Sequence, residues 1–459
     1  MLRQLKRLPG LAALLVLSGC GSLGSDFLYQ SSSPTQKANN RSTVALPTPE
    51  AQSLASYDSA DFNEPTGPLT LRQALSLVVL RSPELVTSSY EIRSAEARRL
   101  QAGLPPNPEV ELGVAEFGGT GSRRGFGASE SSLTLSQLIE LGGKRQLRSN
   151  VADRDRDLAN WSYEAKRLDV LLEATHAFID VIAAQRMVAL AEDAAGISQQ
   201  VIDTVTARVE AGKISPLEQT RARVSFSTSQ LALQRARREL RIAREQLTAM
   251  WASDKPTFAE AQGDYETLQV IPQLGQLAAQ TENNPDLARW RTEIEQREEA
   301  LRLERAKNIP DPKLSIGVTR FEDSNESAFL VGLSIPIPLF GINPGGVREA
   351  EIALAQSAAE RRGMEIKVAT ALSRAYELLA SSYSEVAALQ REVLPAAEQA
   401  FNDARDGYRA GKFGFLEVLD AQRALVESRG SYIEALSNYH KSLAEVERLT
   451  GRPLKPAAQ

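Results

Sequence analysis

Two glycine-centred segments hold the residues whose types and spacing could act on charged solutes. The first runs from Arg208 to Glu218 and the second from Tyr408 to Asp420, and each places a lysine directly after the glycine. In the second segment Glu417 lies three positions before Asp420, which puts both carboxylates on one face of a helix. Converging carboxylates attract cations and repel anions, whereas acids on an ordinary exposed helix are simply solvated. The role of this pair therefore depends on the fold around it.

The sequence lacks the clusters that enzymes and tight metal sites need. Its two histidines, His176 and His440, each lie in a long helical pattern without a second histidine at ligand spacing. The glycine-rich segment 118–127 lacks the Gly-Lys-Ser/Thr ending of a phosphate-binding loop, and no helix follows it at once. We therefore expect no enzymatic activity, no protein-bound metal, and a hairpin tip at 118–127.

The N-terminus has the features of an export signal. The apolar run at 11–17 follows three basic residues and is too short to span a bilayer. It ends in Leu-Ser-Gly-Cys, which resembles a bacterial lipobox, so we expect removal of residues 1–19 and lipidation of Cys20. Gly21 follows instead of aspartate, which in such proteins favours sorting to the outer membrane. A covalent N-acyl diglyceride on Cys20 is the only attached group that the sequence predicts.

The composition of the mature chain excludes further classes. Cys20 is the only cysteine, which rules out disulfides within the chain and a cysteine metal cluster. Loss of the three basic signal residues leaves 50 of the 53 basic residues against 58 acidic ones, so there is no general attraction to nucleic acid. Residues 20–67 are rich in Ser, Pro, Thr, Asn and Gln, and we interpret them as a tether from the lipid to the folded body.

The rest of the chain is a duplication with a period near 200 residues. The recurring pairs of segments are 82–85 with 284–287, 107–114 with 311–318, 135–143 with 333–341, and 211–218 with 410–417. All four keep the same order with little drift, which is typical of an internal repeat. We therefore predict a first repeat at 68–262, a second repeat at 263–454, and a tail at 455–459.

Each repeat is predicted to contain a helix, two strands and two very long helices. The first helix is expected at about 71–103, capped by Thr70, and its counterpart at about 272–306. Alternating polar and apolar residues predict four strands, at about 109–117, 129–139, 313–322 and 328–337. Beyond the strands, apolar residues recur three and four positions apart, as in a coiled coil.

Helix breakers recur in register along these long helices. Gly196 matches Pro395 and Gly212 matches Gly411, both at an offset of 199. Glycine tolerates the positive φ that a tight turn between two helices demands. We therefore expect both copies to bend or turn at the same two heights.

The fold class that follows is mainly α with a small β part, and it requires oligomerisation. An open sheet edge in hydrocarbon leaves backbone groups unpaired, so membrane strands must close into a barrel. Four strands cannot close alone, whereas two chains supply eight strands and three chains supply twelve. Eight strands leave an interior filled by side chains, and twelve leave a lumen, so a dimer and a trimer both remain open at this point.

From about residue 69 to 454 the chain resembles the TolC family of outer-membrane efflux proteins. The duplicated unit of helix, hairpin and long helix pair is typical of that family. The segments 137–145 and 336–341 are similar to those of its cobalt-zinc-cadmium and related cation-efflux branch. The resemblance implies a homotrimer in the outer membrane of a Gram-negative bacterium, with a twelve-stranded β-barrel above a periplasmic α-helical barrel. It also implies a periplasmic adaptor and an inner-membrane pump of the RND type as partners.

The same resemblance assigns roles to the two glycine-centred segments. In the family they are the periplasmic tips that close the tunnel and dock the adaptor, which here are Gly212 with Lys213 and Gly411 with Lys412. Threefold symmetry would turn Glu417 and Asp420 into rings of carboxylates that gate the pore. Tyr408 would hydrogen-bond Glu218 and latch the closed state. Phe413 stands where some relatives carry an arginine of a second latch.

The favoured function is therefore an export duct, with heavy-metal cations as cargo. One alternative keeps the duct but changes the cargo to drugs or other organic solutes. Another is a structural coiled-coil lipoprotein, which the alternating strands disfavour because a spacer needs no barrel.

Overall fold

The computed structural model describes residues 64–452, so the signal, Cys20 and the predicted tail at 455–459 lie outside the described residues. The helices are α1 Leu71–Arg81, α2 Pro83–Ala102, α3 Lys144–Glu210, α4 Pro216–Ala249, α5 Leu274–Ala278, α6 Pro285–Ala306, α7 Pro344–Ala388, α8 Leu394–Arg409 and α9 Phe415–Thr450. The strands are β1 Leu69–Thr70, β2 Glu109–Ala115, β3 Glu130–Leu138, β4 Ala261–Gln262, β5 Lys313–Phe321 and β6 Glu326–Ser334. The element order repeats in the second half of this range, as the duplication predicts.

The first helix of each copy is split, where the sequence predicted one continuous helix. Thr70 caps α1 as expected: its hydroxyl accepts from the N–H of Gln73, whose side chain accepts from the N–H of Thr70 at 2.9 Å. The helix then ends at Ser82, because the proline at 83 has no N–H to donate and disfavours helical geometry in the residue before it. In the second copy Asn284 and Pro285 make the same break before α6.

The long helices form as predicted, but the two copies break differently. The helix α3 runs for 67 residues without interruption at Gly196, so the chain does not turn at this glycine. Its counterpart is interrupted by a π-helical segment at Leu389–Val393, directly before α8 and Pro395. An interior proline removes one backbone hydrogen bond, which a π-turn accommodates, whereas glycine only weakens a helix. None of the helices in residues 64–452 combines the length and apolarity needed to cross a bilayer.

The four longer strands form one antiparallel sheet in the order β2-β3-β5-β6. The two copies meet at its centre, where Leu135 of β3 lies opposite Ile316 of β5. Successive positions alternate between two faces. One face is mainly apolar, and its exposed apolar members are Val110, Leu112, Val114, Leu133, Leu135, Leu314, Ile316, Phe329, Val331 and Leu333. The other face is mostly small and polar, and its central rows hold Gly113, Ser132, Thr134, Ser136, Ser315, Gly317, Thr319 and Gly332.

The starts of β2 and β5 agree with the prediction, and the other strand ends differ from it by one to three residues. The strand β2 stops at Ala115 because Glu116 takes a positive φ of 59° and turns the chain. Asn325 takes the same φ, and β6 starts directly after it at Glu326, two residues earlier than expected. It also ends earlier, at Ser334, because Pro336 and Pro338 follow.

The helical layer is held together where α1, α3, α7 and α9 meet. The largest fully buried side chains there include Trp251, Phe258 and Tyr439. Arg448 of α9 ties the two copies, because its guanidinium contacts Asp286 at 2.5 Å and Asp169 at 2.6 Å. The helix α3 packs against α4 and α9, and α9 packs in turn against α7 and α8.

Candidate functional site

Both glycine-centred segments form tight turns between two long helices. Gly212 takes a φ of +67°, its N–H bonds to the carbonyl of Val209 at 2.9 Å, and the N–H of Lys213 bonds to the carbonyl of Arg208 at 2.9 Å. Gly411 takes a φ of +71° and repeats this pattern, with Lys412 bonding to the carbonyl of Gly407 at 2.8 Å. This is the Schellman motif, which requires a left-handed residue after the helix. The predicted turns at the two glycines are confirmed.

The helices that leave the two turns begin differently. After the first turn, the Ser215 hydroxyl accepts from the N–H of Leu217 at 3.2 Å, and proline occupies the first helical position. After the second turn, Gly414 begins α9 without a side-chain cap. Phe413 folds back instead over Gly407, where even a methyl group would overlap the ring. No pattern in the sequence predicts this packing, which needs the absence of a side chain at 407.

An apolar cluster and one arginine join the two hairpins. Val205 of α3 packs with Phe401, Tyr408 and Phe415 of the second hairpin, and all four side chains are buried. The guanidinium of Arg208 lies 4.6 Å from the centre of the Tyr408 ring and donates to the Tyr408 carbonyl at 3.2 Å. A positive charge over an aromatic face is favourable, most of all when it is shielded from water. Arg208 was part of the sequence motif but was assigned no role there.

The hydrogen bond predicted between Tyr408 and Glu218 is absent from this structure. The Tyr408 hydroxyl and Glu218 Oε2 are both buried, and neither has a partner within residues 64–452. Burial raises the pKa of Tyr408, the Arg208 charge lowers it, and the Glu218 charge raises it further. The two groups therefore sit at the same junction, close enough for their charges to interact, without forming the latch. Whether they do so in an assembled tunnel stays a prediction.

The two candidate gate carboxylates are exposed at the start of α9. Glu417 makes no ion pair with any residue between 64 and 452, and its carboxylate lies beside Gly414. Asp420 is 3.8 Å from Arg423, and both side chains are about three-quarters exposed, at 75% and 73%. A contact this open contributes little. The pair is therefore available to face other charges, as the sequence suggested, although the nearby arginine offsets part of the negative charge.

A groove of about 780 Å³ runs beside Asp420 between α3, α4 and α9. Its walls are mainly apolar, with Leu190, Val224 and Leu419 among the lining residues, and Arg221 lies at its side. A polar chain in its wall links the three helices: Gln422 donates to Ser198 at 3.0 Å, and Ser198 lies 2.9 Å from Ser229. These contacts fix how the second hairpin sits against the first.

The remaining predicted site residues are placed as follows. Lys213 and Lys412 are exposed at the turn tips and form no ion pair within residues 64–452. Each histidine donates a ring N–H to a backbone carbonyl, His176 to Lys441 at 3.2 Å and His440 to Tyr265 at 2.9 Å. Between residues 64 and 452 no three His, Cys, Asp or Glu side chains converge as metal ligands. Cys20 lies outside the described residues.

The sequence and fold match known proteins over most of the chain. The family described as outer membrane efflux protein matches residues 74–253 and 277–452. The cobalt-zinc-cadmium resistance protein CzcC of Cupriavidus metallidurans is 36% identical over 393 residues, which cover 85% of this chain and 91% of that protein. The nickel-cobalt-cadmium resistance protein NccC of Alcaligenes xylosoxydans xylosoxydans is 27% identical over 65% of this chain and 67% of its own length.

The fold is that of solved outer-membrane channels. The CmeC outer membrane channel of Campylobacter jejuni superposes with a TM-score of 0.69 at 14% identity, covering 85% of this chain and 87% of that one. With two matched segments that together span most of residues 64–452, a TolC-like architecture and a close relative over nine-tenths of its length, the chain belongs to the outer membrane efflux protein family.

Proposed function

We propose that this protein is the outer-membrane duct of a tripartite export system, working as a homotrimer with a periplasmic adaptor and an inner-membrane RND pump. The observation that supports this most is the four-stranded sheet. Its apolar face is exposed in the single chain, where Phe329 is 94% accessible, and its other face is small and polar. An apolar outer band around a polar lumen is the pattern of a barrel in lipid.

The sheet also supports the number of copies. The strands β2 and β6 are both edges within one chain, so each leaves a row of backbone groups unpaired. Three copies joined edge to edge supply twelve strands and remove every edge. Twelve strands also leave room for a lumen, which eight strands do not. The same geometry argues against a structural coiled-coil lipoprotein, which would have no use for such a sheet.

The proposed cargo is heavy-metal cations. Two relatives are named for resistance to cobalt, zinc, nickel and cadmium, and one of them aligns over 91% of its length. The exposed Glu417 and Asp420 would form rings of negative charge around a threefold axis and favour cations. Since residues 64–452 hold no cluster of metal ligands, selection among metals would belong to the pump. Drugs or other organic solutes are the second candidate cargo.

The two turns would form the periplasmic end of the duct. Lys213 and Lys412 project there and are free to contact an adaptor, while Gly212 and Gly411 give the turns their shape. At the other end, a lipid on Cys20 would anchor the N-terminus in the outer membrane, and Cys20→Ala should abolish incorporation of labelled palmitate. Incorporation that persists in this variant would exclude Cys20 as the acceptor.

A deletion strain tests the cargo. We expect loss of the gene to increase sensitivity to cobalt, zinc and cadmium several-fold, with no change towards dyes and antibiotics, and the wild-type gene to restore resistance. The reverse pattern would identify an organic cargo. Planar bilayers test the duct itself: purified protein should form discrete cation-selective channels, and protein that stays monomeric and conducts nothing would exclude the proposal.

A further inference from the structure

The segment between β6 and α7 presents apolar side chains that no residue between 64 and 452 covers. Residues 335–342 read Ile-Pro-Ile-Pro-Leu-Phe-Gly-Ile, and Phe340 and Leu339 are 97% and 79% exposed. Such a surface on a folded protein marks a contact with another molecule. The internal duplication indicates what that molecule is, because the equivalent segment of the first copy has a partner within the chain.

The first-copy segment, residues 137–143, docks on residues 306–312 that precede β5. The N–H of Ile139 donates to the carbonyl of Pro312 at 2.9 Å, and the N–H of Leu141 donates to Asp311 at 2.7 Å. Gly142 lies so close to Ile309 that a Cβ atom on the glycine would be 2.7 Å from the isoleucine side chain. The contact thus combines one strand-like backbone hydrogen bond, one hydrogen bond to the Asp311 carboxylate, and a small residue packed against a large one.

The counterpart of residues 306–312 is residues 102–108, which precede β2. The structure supports this correspondence, because α2 and α6 end at Ala102 and Ala306 and the following strands begin at Glu109 and Lys313. Since β2 and β6 are opposite edges of the sheet, one chain cannot bring residues 335–342 onto its own residues 102–108.

We propose that residues 335–342 of one subunit dock on residues 102–108 of the neighbouring subunit. The strand β6 of the first subunit then pairs antiparallel with β2 of the second, so that Leu333 lies opposite Leu112. The register follows from the pairing of Leu135 with Ile316 in the chain, carried over by the offsets of the duplication. This proposal rests on the homotrimer of the proposed function and assigns the residues that close it.

The faces of the two strands agree with this register. It places Val331 opposite Val114 and Leu333 opposite Leu112, all four on the exposed apolar face of the sheet. It also places Ser334 opposite Glu111 on the polar face. A slip of one residue would set apolar side chains against polar ones along the whole edge.

The side chains in the docked segments are complementary as well. Within one chain, the small Gly142 packs against the large Ile309. At the equivalent contact between subunits, the large Phe340 would meet the smaller Pro105. Pro336 and Pro338 alternate with Ile335 and Ile337. The isoleucines are the counterparts of residues whose N–H groups face the partner, so the prolines occupy positions that need no donor there.

The two contacts differ in charge. In the chain, Lys144 pairs with Asp311 at 2.8 Å, and Arg148 pairs with Glu140. Neither residues 335–347 nor residues 102–108 contain a charged side chain. The contact between subunits is therefore apolar. We expect that it does not dissociate at about 1 M NaCl, where the screening length is reduced to about 3 Å.

Disulfide trapping tests the register in the full-length protein. In Ser334→Cys/Glu111→Cys the new cysteines of one chain are three strand spacings apart, about 14 Å. A disulfide between these two positions can therefore form only between two subunits. We expect oxidation to give covalent dimers and trimers on non-reducing gels. The control pairs Ser334→Cys/Glu109→Cys and Ser334→Cys/Val110→Cys, shifted by two residues and one, should cross-link several-fold less, and the parent with Cys20 alone should not cross-link.

The outcomes separate the two proposals. If a control pair cross-links as well as Ser334→Cys/Glu111→Cys, or if that pair fails in a protein that is trimeric by native mass, the register is wrong while the homotrimer stands. If native mass in mild detergent gives a monomer, the homotrimer itself is wrong.

Phe340→Ala tests the docked segment separately. We expect this variant to lose most of its trimer at a detergent concentration where the parent keeps it, with unchanged helical circular dichroism. The control is Phe126→Ala, which removes a ring that is 69% exposed at a hairpin tip far from the contact. Equal trimer fractions in both variants would overturn the docking of residues 335–342.

Discussion

The two copies of the duplicated unit share their element order but differ at two places, the end near the sheet and the turns between the long helices. At the end near the sheet, the first copy is fixed by charge, through Lys144 and Asp311. The equivalent segment of the second copy, residues 335–342, is apolar and largely exposed among the residues that the structure describes. At the turns, the first hairpin has one unbroken helix and a capped start, whereas the second has a π-helical segment and no side-chain cap.

This divergence indicates a division of roles. Contacts that stay within one chain can use a buried ion pair, because both partners are always present when the chain folds. A surface that waits for a second copy would leave a charge unpaired until assembly, so an apolar surface costs less. The exposed carboxylates belong to the hairpin with the irregular helix, which is where a gate would need to move.

Lys144→Met should produce the largest change, because it removes one partner of a shielded pair. Its ammonium and Asp311 are only 10% and 19% exposed, so we expect the free energy of unfolding to fall by about 3 kcal/mol. The control Lys166→Met breaks an open pair with Glu84 and should cost less than about 1 kcal/mol. Denaturant unfolding in detergent measures both losses. Equal losses would mean that the contact between residues 137–144 and residues 306–312 does not depend on the ion pair.

The same pair gives a pH dependence with a defined sign. Burial raises the pKa of Asp311, but the hydrogen bonds from Lys144 and from the N–H of Leu141 outweigh it, and the net pKa is lowered. A carboxyl with a lowered folded pKa stabilises the protein above its unfolded pKa, near 4, and this contribution is lost as the pH falls through the folded pKa. Lys144→Met does not change the unfolded pKa, at which this loss begins, but it makes the folded pKa less lowered. The acid-induced loss of stability should therefore be smaller in the variant than in the parent, and denaturant unfolding measured from pH 7 down to pH 3 checks this.

The two turns should respond equally to Gly212→Ala and Gly411→Ala, since both glycines have a positive φ and open space around them. A left-handed conformation costs a residue with a side chain about 1–2 kcal/mol, so each variant should unfold at a lower denaturant concentration. The control Gly196→Ala lies inside a continuous helix with free space and should instead stabilise it by up to about 1 kcal/mol. Unequal losses at the two turns would show that one of them has a different shape in the assembled protein.

The sequence predicted much of this fold because the decisive signals were local. The duplication, the alternating strands and the left-handed turns at Gly212 and Gly411 each depend on residues near one another in the chain. Pro83 and Pro285 are local signals as well, but the helical periodicity on either side of each proline favoured one continuous helix. Side-chain contacts could not be predicted from the sequence, because neither spacing nor composition shows which side chains meet. Examples are Arg208 over Tyr408, which joins the two hairpins, and Phe413 over Gly407 within the second hairpin.

Charge at the second hairpin should affect ion selectivity more than stability. Neutralising both carboxylates in Glu417→Gln/Asp420→Asn should reduce the cation-to-anion permeability ratio several-fold in planar bilayers, since a ring of negative charge would be removed. Little stability should be lost, because the only ion pair involved, with Arg423, is largely exposed. The control Glu218→Gln neutralises a less exposed acid of the first hairpin. If it reduces selectivity as much, the two hairpins do not differ as gates.

Tyr408→Phe should produce the smallest change, and it decides whether the two hairpins are latched. The Tyr408 hydroxyl is buried without a hydrogen-bond partner among the described residues, so its removal leaves no group newly unpaired. We therefore expect a free energy of unfolding within about 0.5 kcal/mol of the parent and an unchanged single-channel conductance. Arg208→Ala, which removes the cation over the ring, should loosen the same junction measurably. If Tyr408→Phe instead raises conductance while Arg208→Ala does not, then the hydroxyl bonds Glu218 in the assembled tunnel. The second hairpin would in that case be restrained by the first through this bond rather than through the apolar cluster.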